Sequence, residues 1–211
     1  LVNQNSVNSI SAELDSVWHR IFYHVWWPSP GNDPMYALNP TMNRVRSNYY
    51  EGNFTPHMLT NGSSSGSSVS AWVEDPNKYL NMVSPYSISF QGVLSNDYYN
   101  FDIAFKSLVK TAENSDIRLF VATTLKTVVY PRAYNGLNEH HNVMIEQLLG
   151  NEGKPIKFLF NVDYNESFSW KFSEDWLKNT ELRWNKDKLR IVAWIQDYKT
   201  KEILQVEEFS F

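Results

Sequence analysis

The chain has 211 residues, of which 42% are hydrophobic, 20% charged and 15% aromatic. That profile fits one large or two modest soluble globular domains. A formal net charge of -4 argues against a non-specific nucleic-acid binder, which needs a positive field for phosphates. Cysteine is absent, which excludes a catalytic thiol, a structural disulfide and a thiolate metal site within these residues. No apolar run approaches the roughly 18 residues of a transmembrane helix. The opening Leu1-Val2-Asn3-Gln4 has neither an initiator Met nor a signal peptide and reads as a processed, truncated or partial start.

In chain order, Val7, Ile10, Leu14 and Val17 form one stripe of a helix over 5–17, with Ser6 or Ser9 placed to cap it. Residues 18–27 turn aromatic and β-branched and are expected to form a buried central strand. Pro28, Pro30 and Pro34 make the next stretch a rigid loop. Asn39 or Thr41 caps a helix that Pro40 opens and that runs to about Tyr50. Then come a short loop, Pro56 opening a brief apolar strand, and the Asn61-Gly62 turn. Residues 63–68 read as a flexible Ser/Gly run, and 70–81 as a short helix interrupted by Pro76. Beyond Pro85 the pattern becomes strand-like at 86–94, 98–109, 117–129, 156–161, 166–172, 189–196 and 203–209, as in a β-sandwich. Residues 138–149 stand apart as a helical or irregular excursion.

Two motifs carry a family resemblance. The run Trp26-Trp27-Pro28-Ser29-Pro30-Gly31-Asn32-Asp33-Pro34-Met35-Tyr36, followed by Asn39-Pro40, Arg44 and Tyr49-Tyr50, resembles the Omp28-related proteins. So do His141-Asn142-Val143-Met144, Val192-Ala193-Trp194-Ile195-Gln196-Asp197 and the segment 200–205. The resemblance implies an α+β architecture. Residues 1–85 would form a thioredoxin-like domain lacking its first strand, and residues 86–211 an antiparallel β-sandwich. It also implies an extracytoplasmic bacterial protein, secreted or attached to the outer membrane surface, in a family often carrying a type IX secretion signal. In members with a redox motif, Cys-x-x-Cys opens the helix matched by residues 5–17, so that motif would lie upstream of residue 1 or be lost. Pro56 matches the position of the cis-proline of thioredoxin-like domains, with Thr55 before it and His57 after it. Those residues are candidates to hold an extended peptide.

The candidate residues each have a plainer role to set beside the functional one. Thr55, Pro56 and His57 are a peptide groove or a strand-initiating turn. Trp26 and Trp27, with His24, are an aromatic wall or rim packing. Asp33 supports the proline loop by an Asx-turn, or binds a hard cation. Glu139-His140-His141 lacks zinc-pair spacing and reads as hydrogen bonding rather than metal ligation. Trp170 and Trp176 are glycan-stacking candidates, or, with Phe168 and Phe172, sandwich core. No cofactor, phosphate loop or serine-hydrolase elbow is legible. The functional expectation is a non-enzymatic extracytoplasmic module that binds protein or organises an assembly. The alternatives are a thiol-disulfide oxidoreductase with its Cys-x-x-Cys upstream, and a carbohydrate-binding surface protein. The sequons at Asn53, Asn61 and Asn165 are as readily accidental as glycosylated.

Overall fold

A computed structural model describes residues 18–29, 31–133 and 136–211; the helix expected over 5–17 lies outside them. Among the described residues the first helices are two short ones, α1 (Pro34–Leu38) and α2 (Pro40–Tyr49). Asp33 caps α1, its Oδ1 accepting from Met35 N at 2.8 Å and Tyr36 N at 3.3 Å, and prolines open both helices where no amide donor is needed. A small hairpin follows, β1 (Met58–Thr60) and β2 (Ser63–Gly66), then α3 (Val69–Asn77) with Pro76 near its end. The Asn61-Gly62 turn has φ of 51° and 88°. Glycine is required there twice over, because a Cβ would also lie 1.8 Å from the carbonyl oxygen of Lys201.

Long antiparallel strands fill the remainder. They are β3 (Tyr86–Ser95), β4 (Tyr98–Ser107), β5 (Ile117–Val129) and β6 (Glu139–Gln147). After them come β7 (Lys154–Pro155), β8 (Asp163–Trp170), α4 (Glu174–Lys178) and β9 (Arg183–Trp184). The last two are β10 (Leu189–Asp197) and β11 (Ile203–Phe209). One sheet runs β3-β4-β8 and a larger one β11-β10-β5-β6, with β7 and β9 pairing to β5. Asn96 and Asp97, both at positive φ, make the tight turn that joins β3 to β4. Phe101, Ile103 and Phe105 of β4 face Leu119, Val121, Ile191 and Ile195 of the larger sheet across the main core.

The larger sheet is covered on both faces. Phe120, Ala122, Val192 and Trp194 form a second cluster on its far side, joined by Ile21 and Tyr198. The N-terminal segment supplies that cover. Phe22 N donates to Asn142 O at 2.8 Å and Met144 N to Phe22 O at 3.0 Å. Asn39 Nδ2 donates to Ile145 O at 2.7 Å, and Tyr49 OH to Tyr198 O at 2.8 Å.

Several expectations change accordingly. Residues 18–27 are not a central strand: only Phe22 pairs, in parallel with Val143 at the free edge of β6, while Ile21 packs on the far face of the sheet. Residues 138–149 hold a strand, β6. It hides its period because Asn142 to Ile145 are buried consecutively between two layers. Residues 63–68 include a paired strand, and 156–161 contribute only the Phe160–Ser107 bridge. The other six expected strands are present as β3, β4, β5, β8, β10 and β11, with β8 starting three residues before its expected position. Among the described residues, no helix is long and apolar enough to cross a membrane.

Candidate functional site

Apart from Trp170 and Trp176, the residues singled out by sequence fall into two separate clusters. In the first, the proline loop holds a half-buried aromatic rim. Trp26 and Trp27 meet edge to face at 6.4 Å, Trp26 lies 5.7 Å from Tyr36, and the Arg44 guanidinium sits 4.7 Å from the Trp26 ring centre. Beneath it, His24 Nδ1 and Asp33 Oδ2 are 2.7 Å apart, so Asp33 spends one oxygen on the α1 cap and the other on the imidazole. Burial raises the Asp33 carboxyl pKa, but the hydrogen bond and charge of His24 and two backbone amides outweigh it and hold the pKa below the usual value. This is the Asx arrangement, with both oxygens committed. The His24 ring lies 5.4 Å from that of His140. Burial, reinforced by His24, pushes His140 down to about 4, and its Nε2 has no hydrogen-bond partner among the described residues. No group of three metal-ligating side chains converges among the described residues, and no nucleophilic side chain among them is hydrogen-bonded to His24.

The second cluster surrounds Pro56. The Thr55–Pro56 bond is cis, as is Trp27–Pro28, which sequence did not single out. Phe54 stacks on His57 at 4.2 Å, and His57 Nε2 lies 2.8 Å from Ser64 Oγ. Burial lowers the His57 pKa and so favours the neutral ring. No carboxylate orients its other nitrogen among the described residues, so the pair lacks the third member of a hydrolytic triad. Thr55 is exposed. The backbone groups of Asn53, Phe54 and Thr55 form no hydrogen bond with other described residues. Next to this segment, Thr60, Ser63, Ser64, Ser65, Asp75, Lys78 and Tyr79 line an open polar cleft of ≈ 180 Å³. Sequence missed that cleft because the Ser/Gly run carries no periodic signal.

No hydrogen bond or ring contact among the described residues joins Trp26–Trp27 to Thr55–His57. Trp170 and Trp176 are 7% and 2% exposed. Trp170 packs on Tyr99 and Phe172, and Trp176 on Trp184. Neither offers an open ring face to a sugar, which corrects the glycan expectation for both; they are core.

No family model matches the chain, and no curated protein matches it. Among solved structures, HBP35 of Porphyromonas gingivalis superposes with a TM-score of 0.69 at 12% identity, covering 99% of this chain and 69% of its own. A domain of the outer membrane lipoprotein Omp28 from Porphyromonas gingivalis also matches, with a TM-score of 0.41 at 14% identity, covering 62% of this chain and 90% of its own. The chain therefore has the fold seen in HBP35.

Proposed function

We propose that this chain is a non-enzymatic extracytoplasmic module that binds an extended polypeptide and organises an assembly. The observation that carries this reading is the exposed backbone of Asn53, Phe54 and Thr55, free of hydrogen bonds to other described residues beside the two-stranded β1–β2 sheet. Unpaired backbone next to a short sheet is what an incoming strand completes. Thr55, Pro56 and His57 are the contact residues in this reading, and the Trp26–Trp27 rim is a second, separate contact. The resemblance of the proline-rich motif to the Omp28-related proteins fits an extracytoplasmic setting. The division into a thioredoxin-like unit at 1–85 and a sandwich at 86–211 draws support from the change at Pro85, where helices and a short hairpin give way to long strands.

Site-specific photo-crosslinking in the native envelope tests this. A crosslinker at Thr55 is expected to capture discrete polypeptides that the same group at exposed Val93 does not. Equal capture at both positions, or none at Thr55, refutes the reading. The oxidoreductase alternative wins instead if the full gene product reduces insulin disulfides.

A further inference from the structure

One end of the three-stranded sheet carries an unusual set of exposed apolar side chains. Met82 and Val83 precede β3, Leu108 and Val109 follow β4, and Leu159 and Phe160 precede β8. Their exposures run from 44% at Val109 to 93% at Val83. Backbone bonds tie the three loops together: Leu108 N donates to Pro85 O at 2.8 Å and Asn161 N to Ser107 O at 2.9 Å. The tips are thus held side by side on ordered backbone rather than scattered singly. An exposure of 93% places Val83 on a protruding tip, not in a groove.

Charge around these tips differs from that of the chain. Residues 80–85, 106–113 and 157–163 contain Lys106, Lys110 and Lys157 against Glu113 and Asp163, a formal +1 where the whole chain carries -4. Lys106 faces Asp163 at 3.5 Å. Lys110 and Lys157 are exposed and form no ion pair with other described residues. We propose that this end docks on the surface of a bilayer containing anionic phospholipid, inserting the apolar tips while Lys110 and Lys157 meet headgroup phosphates. Apolar side chains at the headgroup–acyl boundary with a basic collar are the pattern of an interfacial membrane contact. A second copy fits less well, because a two-fold contact would set the lysine collars facing one another with few acids between them.

Vesicle co-sedimentation of the full chain tests the proposal. The parent protein is expected to partition onto phosphatidylglycerol–phosphatidylethanolamine vesicles and weakly onto phosphatidylcholine. Val83→Asp with Phe160→Asp should lower the partition coefficient by about tenfold or more, two inserted apolar groups being lost. Lys110→Glu with Lys157→Glu should weaken binding several-fold and remove most of its salt dependence. All four positions are exposed, so unchanged melting temperatures separate these effects from unfolding. The proposal is overturned if the parent does not partition, if the variants partition like the parent, or if sedimentation shows a dimer that Val83→Asp dissolves.

Discussion

Arg46 is 3% exposed, yet it has no carboxylate partner among the described residues. Its guanidinium lies instead 4.8 Å from the ring centre of Tyr50, 4.9 Å from Tyr49 and Phe120, 5.7 Å from Trp194 and 5.9 Å from Tyr23. Nη2 donates to Tyr50 OH at 2.9 Å and approaches Gln196 Oε1 at 3.5 Å. Nε and Nη1 have no hydrogen-bond partner among the described residues. A buried cation held this way pins α2 to the outer face of the larger sheet through Phe120 and Trp194. Desolvated cation–π contacts contribute about 2 kcal/mol for a good ring, with diminishing returns for further rings, and a charged hydrogen bond about 2 kcal/mol. Desolvation of the unpartnered nitrogens offsets about 2 kcal/mol of this, and the further rings add a little. Arg46→Met, which keeps the volume and removes the charge, is therefore expected to destabilise by about 2–3 kcal/mol. Arg46→Lys should lose about 1–2 kcal/mol, since an ammonium cannot stack on the rings as a plane. Urea unfolding followed by tryptophan fluorescence and far-UV circular dichroism measures both. A methionine variant as stable as the parent, or more so, would refute the stabilising role of the cage and leave Arg46 a tolerated burial.

His140 should make stability depend on pH. Its folded pKa of about 4 lies below its ordinary 6.5. Its contribution is complete above pH 6.5, falls as the unfolded chain takes up a proton that the folded one refuses, and levels off below about pH 4. With the ring only half-buried, the loss should be about 1–2 kcal/mol, and His140→Gln should flatten it; a parent whose midpoint stays constant from pH 6.5 to 4.5 contradicts this. Gly62→Ala should destabilise by more than about 2 kcal/mol, because both its positive φ and the Lys201 carbonyl oppose a side chain; a melting temperature unchanged by that substitution would dispose of the point. Trp170→Leu should destabilise by about 2–4 kcal/mol, removing a core ring and its 2.8 Å bond to Glu146. A loss of glycan retention without loss of stability would restore the surface role.

What the sequence determined by itself was local. Alternation placed β4 and the edges of the sandwich, because β4 is buried on one face and open on the other over its full length. Proline and Asn-Gly chemistry placed the starts of α1 and α2 and the β1–β2 turn, where a missing donor or a positive φ acts within one residue. Tertiary structure decided whatever depended on what covers what. β6 carried no period because Val143 and Ile145 enter the main core while Asn142 and Met144, between them in sequence, are buried as well. Residues 18–27, expected as a central strand, join only the free edge of β6, through Phe22. Trp170, a binding platform or a core residue by sequence, became core once Tyr99 and Phe172 closed over it. Arg46, which sequence did not single out, became the centre of a cage because Phe120 and Trp194 arrive from strands more than 70 residues away. Burial is a property of pairs of distant segments, and no window along the chain contains both members.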